Sequence, residues 1–234
     1  MTHTFSIKPE IYPLGDKTLI VRVSPHISRD SIAAAVALRD ALLAQGYEGL
    51  EELVPAQHTL AIGYDPLAAS FATWRERIVH IVGALPMLQG SKGGTYDIPV
   101  CYGGEYGPDL TFVATAAGLT EEEVIRAHSE AEYTVAMIGF VPGFPYLLGL
   151  PEQLAVPRMA QPRNLVPAGS VAIGGNQTGI YPSDIPGGWR ILGRTPIQLF
   201  DANQPTPSLL RPGDTVRFTP IDELTFVALA KGRC

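Results

Sequence analysis

Gly139 to Arg194 read GFVPGFPYLLGLPEQLAVPRMAQPRNLVPAGSVAIGGNQTGIYPSDIPGGWRILGR. Between Pro142 and Arg190 this stretch holds eight prolines and eight glycines in 49 residues. That is about a third of its positions, against roughly an eighth in average usage. Such density normally signals disorder, but Phe140, Phe144, Tyr146, Leu147, Leu148, Tyr181 and Trp189 are interleaved with it, and disordered segments lack anchors of this kind. Proline fixes φ, and glycine admits positive φ and close backbone approach, so their alternation predicts a rigid system of loops. Into that frame the sequence sets Arg158, Arg163, Asn176, Gln177, Thr178, Ser183 and Asp184, donors and acceptors suited to a neutral or anionic polar ligand. Gly174-Gly175 leave room for a ligand to approach the main chain. Phe144, Tyr146, Leu147 and Leu148 form an apolar cluster expected to lie exposed and to meet a partner.

Around this stretch the chain is rich in short strands. Tyr133 to Val141, Ser170 to Ile173, Trp189 to Leu192, Ile197 to Phe200, Thr215 to Pro220 and Thr225 to Leu229 read as strands at turn-bounded intervals, the spacing of a barrel or sandwich. Upstream, Tyr96 to Tyr102 is a further strand, a glycine-rich turn runs into a helix at Leu110, and Thr120-Glu121-Glu122-Glu123 is a capping box for another helix. Gln89 to Thr95, QGSKGGT, has the composition of a linker.

The part before it has a different texture. Thr4 to Tyr12 and Thr18 to Val23 predict a hairpin, and Ser28 is placed to cap a helix that Gly46 ends, with Ile32, Ala35, Val36, Leu42 and Leu43 on one face. Glu51 to Val54 and Thr59 to Tyr64 read as strands. Asp65-Pro66 starts a second helix with Leu67, Phe71, Trp74, Ile78, Ile81, Val82 and Leu85 as its buried stripe. The whole chain is therefore expected to be α+β: a small α/β sandwich of ββαββα order over residues 1–88, followed by a β-rich domain over residues 89–234.

The 234 residues are 46% hydrophobic and 17% charged, ordinary values for a globular core. A formal net charge of -6 with no basic run argues against nucleic acid or an anionic membrane as partner. No apolar run reaches the ~18 residues of a membrane span. MTHTFSIKPE lacks the basic and apolar regions of a signal peptide, so a cytoplasmic location is expected. Cys101 and Cys234 form neither a metal spacing nor a disulfide framework, and no metal site is expected.

Several motifs occur in a specific order: Asp97-Ile98-Pro99-Val100-Cys101-Tyr102-Gly103-Gly104-Glu105-Tyr106-Gly107-Pro108-Asp109-Leu110, Gly139-Phe140-Val141-Pro142-Gly143-Phe144-Pro145-Tyr146, Pro157-Arg158 and Pro162-Arg163, Val166-Pro167-Ala168-Gly169-Ser170-Val171, Gln177-Thr178-Gly179-Ile180-Tyr181-Pro182, and Pro186-Gly187-Gly188-Trp189. Together they resemble the allophanate hydrolase subunit 1 family, which includes the B subunit of 5-oxoprolinase and the KipI-type inhibitors of sensor histidine kinases. The resemblance covers the whole chain. It implies a small α/β domain followed by a cyclophilin-like β-barrel. It also implies action with an A subunit and a C subunit, the latter like allophanate hydrolase subunit 2, in the ATP-dependent opening of 5-oxo-L-proline to L-glutamate. A KipI-type role would instead make a histidine kinase the partner. A component of an allophanate or urea-carboxylase-type amidolyase is a further alternative.

The residues can be weighed against that chemistry. Opening a lactam needs an activated amide carbonyl and donors for the developing oxyanion. Gln177, Asn176 and the N–H groups of Gly174-Gly175 are candidate donors, and Glu105, Asp109 and His128 are candidate acid–base groups. Glu105 and Asp109 have an alternative as caps of the Leu110 helix, and His128 as an exposed residue of the Thr120 helix. Arg158 and Arg163 either brace loop carbonyls or clamp a carboxylate or phosphate. Phe144, Tyr146, Tyr181 and Trp189 either line a substrate pocket or pack as core. Thr178 adds a hydroxyl to the same turn.

No Gly-x-x-x-x-Gly-Lys-Ser/Thr loop is present, so the ATP of the implied reaction is expected to be bound by another subunit and no cofactor by this chain. No Gly-x-Ser-x-Gly elbow supports a serine hydrolase. Fold analogy alone would suggest a prolyl isomerase, for which no catalytic arginine beside a proline pocket can be placed by motif.

Overall fold

The computed structural model of the chain describes residues 9–84 and 93–231. They cluster into two compact units, one within Met1–Lys92 and one within Gly93–Cys234. The boundary expected between residues 88 and 89, Gln89 to Lys92 of the linker, the first residues of the Thr4 strand, Leu85 and Cys234 lie outside the described residues.

The N-terminal unit has the ββαββα order read from the sequence. β1 (Glu10–Pro13) and β2 (Thr18–Arg22) form the hairpin, α1 (Arg29–Gln45) follows, then β3 (Leu50–Ala56), β4 (Thr59–Tyr64) and α2 (Phe71–Ala84). The sheet is antiparallel in the order β1-β2-β4-β3. Ser28 caps α1 through the Ser31 N–H, and Gly46 ends it in the left-handed region with φ 59°. Alternation in β2 and β4 turns Leu19, Val21, Leu60 and Ile62 into one core with Leu38, Leu42, Trp74 and Ile78 of the helices. α2 starts later than expected. Asp65 accepts from the Leu67 N–H to close a turn and Ser70 supplies the cap, accepting from the Thr73 N–H, so Leu67 stands in solvent instead of on the buried stripe. Leu43 likewise lies on the open side of α1.

The C-terminal unit contains β5 (Thr95–Tyr102), α3 (Leu110–Ala117), α4 (Glu121–Glu130), β6 (Glu132–Ile138), β7 (Pro145–Leu148), β8 (Arg163–Val166), β9 (Ser170–Gly174), β10 (Gln177–Ile180), β11 (Ile185–Gly187), β12 (Arg190–Arg194), β13 (Thr215–Pro220) and α5 (Glu223–Lys231). Seven strands close a barrel in the order β10-β7-β6-β13-β5-β12-β9, while β8 and β11 form a separate ribbon. The β13–β5 pair is parallel and the other barrel pairs are antiparallel. Val100, Tyr133, Val135, Leu147, Val171, Ile180 and Val216 fill the interior.

β9 is buried along its whole length because it serves three packing regions. Val171 faces the barrel interior, Ile173 packs with Leu110, Val113 and Val124 of α3 and α4, and Ala172 packs with Phe144, Tyr181 and Trp189 of the loops. Two expected strands are not formed. Ile197 to Phe200 makes only a bridge from Phe200 to Ser208, since the prolines and turns after it leave no continuous partner. Thr225 to Leu229 is helical: Asp222 caps the N–H of Thr225, and the Phe226 ring packs at a tilt against Tyr106, 4.6 Å between centroids. Short apolar runs carry no period that separates strand from helix.

The turn from Gly103 to Gly107 docks on the end of β12. A Cβ at Gly107 would collide with the Leu192 carbonyl oxygen. Gly107→Ala should therefore destabilise the chain by about 1–3 kcal/mol through forced displacement of packed backbone. Gly83→Ala, in open space on α2, should be neutral or stabilising by up to about 1 kcal/mol. Urea unfolding of both variants checks the contrast, and equal midpoints would remove the steric argument.

Candidate functional site

Phe144 is the centre of the loop system. Its ring makes edge-to-face contacts with Phe140, Tyr146, Tyr181 and Trp189 at centroid distances of 5.7, 4.9, 5.2 and 5.6 Å. Phe144 and Leu147 are buried, and Tyr146 is half-buried against Phe144 and Trp189. The expected exposed patch is thus corrected: β7 turns Leu147 into the barrel core, and the Phe144 ring is enclosed by its neighbours. Phe140 alone of this group projects into solvent, at a φ of 66°.

The glycines beside these rings serve packing. A Cβ at Gly174 would stand 2.7 Å from the Trp189 ring, one at Gly179 2.9 Å from the end of Phe144, and one at Gly187 would collide with the Tyr181 oxygen. The space at Gly174 expected for a ligand is therefore filled by Trp189. The Gly175 N–H is also spent, donating to the Val156 carbonyl at 2.8 Å. Gly175 therefore offers no free oxyanion donor.

Asp109 lies buried where the glycine-rich turn meets α3. Its side chain does not cap the helix. One carboxylate oxygen accepts from the Ile191 N–H at 2.7 Å, and the other accepts from Arg163 Nη2 at 2.9 Å. Arg190 Nη1 stands 3.7 Å from the latter oxygen, and the Arg190 guanidinium lies 3.7 Å over the Phe112 ring. Asp109 thus ties β12 to Arg163 of β8 through an ion pair and a backbone hydrogen bond. Arg163 reaches it by pairing across from Gly187 in the β8–β11 ribbon. Arg158 is exposed, with its guanidinium 5.5 Å over Trp189. Burial raises the affinity of the Tyr181 phenol for its proton, and the charges of Arg158 and Arg163 oppose that shift.

Gln177 opens β10 opposite Gly174 and is half-buried, and its side chain makes no hydrogen bond among the described residues. Asn176 beside it is exposed. The Val156–Gly175 bridge, the Trp189 contact with Gly174 and the Arg158 contact with Trp189 place this turn beside Trp189 and Arg158. Thr178, in contrast, is fully buried and belongs to the interior.

His128 is not the exposed helix residue that the sequence allowed. It sits in the last turn of α4, fully buried and stacked on Phe218 at 4.7 Å. The Thr178 hydroxyl donates to the Ala172 carbonyl at 3.0 Å, so its oxygen accepts from His128 Nε2–H at 3.0 Å. Nδ1 then accepts from the Tyr102 hydroxyl at 2.8 Å. Every polar atom is satisfied by the neutral ring, and burial lowers its pKa from 6.5 to about 3. Glu105 stands exposed on the Gly103–Gly107 turn, and among the described residues no hydrogen bond or ion pair joins it to the arginine cluster or the Gln177 turn. The structure therefore brings Arg163 and Arg190 to Asp109, sets Arg158, Tyr146, Tyr181 and the Asn176-Gln177 turn around Trp189, and leaves Glu105 and His128 outside. Arg190 and Phe112 join the cluster without having stood out in the sequence. Adjacency to Trp189 in PGGWRILGR was the available signal for Arg190.

The buried His128 makes stability depend on pH. Unfolded, the ring binds a proton below pH ~6.5, whereas folded it stays neutral to about 3, so stability is full above pH ~6.5 and falls as pH drops toward 3. Between pH 7 and 5 this one group should cost about 2 kcal/mol, at 1.36 kcal/mol per pK unit. His128→Gln should flatten the pH dependence of the denaturation free energy by that amount. An unchanged slope would show that His128 is not buried neutral.

Comparison with known proteins fits this architecture. The family model described as carboxyltransferase domain, subdomain C and D, matches residues 9–210. A Bacillus subtilis protein named as the B subunit of 5-oxoprolinase is 36% identical over 95% of this chain and 97% of its own length. One of the same name from Haemophilus influenzae is 43% identical over 89% and 96%. The solved structure of TTHA0988 superposes with a TM-score of 0.78 at 38% identity over 88% of this chain, which spans 40% of that longer one. By both the family model and full-length likeness, the chain belongs to the carboxyltransferase subdomain C and D family, the group that holds the proteins named as 5-oxoprolinase B subunits.

Proposed function

We propose that the chain is the B subunit of an ATP-dependent 5-oxoprolinase, which opens 5-oxo-L-proline to L-glutamate in the cytoplasm together with its A and C subunits. The observation that carries this reading is the likeness to proteins named as 5-oxoprolinase B subunits over nearly the full length of both chains. The site is compatible in chemistry: an aromatic wall from Tyr146 and Trp189, a free amide at Gln177 and guanidinium groups at Arg158, Arg163 and Arg190.

In ring opening, water adds to the lactam carbonyl carbon, the carbon–nitrogen bond breaks, and the nitrogen takes up a proton as the amine leaves. Charge develops on the carbonyl oxygen, where a positioned donor acts most strongly. Gln177 has that donor uncommitted. The ATP that drives the reaction is assigned to the partner subunits, since this sequence has no phosphate-binding loop.

The purified chain alone should show neither ATPase nor 5-oxoprolinase turnover, and adding the A and C subunits should restore both. Turnover by the lone protein would overturn the shared-site reading. In the reconstituted complex Gln177→Leu should lower the rate about 10²- to 10³-fold, as loss of an oxyanion donor does. Because the amide braces nothing in the fold, its stability should stay within the range of about ±0.5 kcal/mol typical of surface changes. A stable variant with wild-type rate would remove Gln177 from the site.

A further inference from the structure

The donors around Asp109 do not balance. Two guanidinium groups, Arg163 and Arg190, stand at one buried carboxylate. Both oxygens of Asp109 are already engaged, by the Ile191 N–H and by Arg163. Arg190 is left 3.7 Å away, outside hydrogen-bonding distance, and its Nε–H is buried without any acceptor among the described residues. A buried N–H lacking an acceptor is costly, and none of the described residues accepts from this one. The Phe112 ring beneath the guanidinium fixes its plane. The Arg190 side chain keeps 17% of its surface open to solvent and Phe112 keeps 42%, so the cluster is reachable from outside.

We propose that Arg190, supported by Arg163, is the subsite for a carboxylate, and that its occupant is the carboxylate of the ring-opening substrate. The identity of the occupant rests on the 5-oxoprolinase reading. A planar guanidinium presents paired N–H donors at the spacing of two carboxylate oxygens. A carboxylate on Arg190 would supply the missing acceptors and offset the local excess of cations. Asp109 then has a clear part: it holds Arg163 and β12 in place and limits how many donors remain for the ligand.

The test uses the complex of the full chain with the A and C subunits, and compares wild type with Arg190→Gln and Arg190→Lys. Loss of a charge-assisted hydrogen-bond pair should raise KM for 5-oxo-L-proline about 10- to 100-fold with kcat changed far less. Lysine keeps the charge but not the paired donors, and should recover only part of the loss. The lactam 2-pyrrolidinone, which lacks the carboxylate, should compete weakly, and to the same extent against all three proteins. Wild-type KM in folded Arg190→Gln would refute the subsite and leave the 5-oxoprolinase reading standing. Failure of the complex to turn over 5-oxo-L-proline, with L-glutamate still bound by the chain in an Arg190-dependent manner, would overturn the reading and the named occupant and retain a carboxylate subsite. Arg190-dependent binding of inorganic phosphate without binding of either carboxylate would overturn the assignment. If Arg190→Gln does not fold, Arg190→Lys with unchanged KM refutes the subsite in its place.

Discussion

Trp189 occupies the volume that any side chain at position 174 would need, and the arrangement of the loops follows from that one contact. Proline-rich segments cannot knit themselves together by backbone hydrogen bonds, because each proline removes a donor. Here aromatic rings hold them instead. Phe144, Tyr146, Tyr181 and Trp189 form a cluster with Val166, Ala172 and Ile191, and each edge-to-face pair adds about 0.5–1.5 kcal/mol beyond burial of its area. The rings approach β9, β10 and β11 closely because Gly174, Gly179 and Gly187 carry no side chains. Loops fixed in this way hold polar groups at set positions before any ligand arrives.

Charge placement follows the same logic on the neighbouring edge. A buried carboxylate such as Asp109 is costly unless paired and hydrogen-bonded, and Arg163 with the Ile191 N–H meets that condition. The chain carries a net charge of -6, which would repel an anionic substrate at long range. Screening removes most of that repulsion beyond about 8 Å at physiological salt. Within that distance the arginine cluster dominates, so local geometry, not composition, decides which ligand charge is favoured.

Much of this is legible in the sequence, and the failures have physical causes. Ser28, Gly46 and Thr120 mark helix ends because their capping chemistry is local. The rigid loop system is legible from Pro and Gly interleaved with aromatics. What the glycines are for is not, since a ring packing on Gly174 and a ligand approaching it leave the same sequence. Thr225 to Leu229 reads as a strand and folds as a helix because a short apolar run fits both equally. Arg190 does not stand out because the pairing that strands it without an acceptor joins residues 109, 163 and 190, which only the tertiary fold brings together.

His128 illustrates how a residue outside the site can still govern it. Its ring, delivered by α4, bonds Tyr102 of β5 and Thr178 of β10, strands separated in the barrel by β12 and β9. Side chains alternate along a strand, so anchoring Thr178 inside the barrel obliges Gln177 to take the opposite face. A slip of one residue would exchange the two and bury the amide. In the four-residue β10, Ile180 in the interior and Gly179 beneath the Phe144 ring oppose the same slip. The buried histidine, neutral and fully bonded, thus acts as a register pin whose effect on chemistry is exerted through the neighbour of the residue it touches.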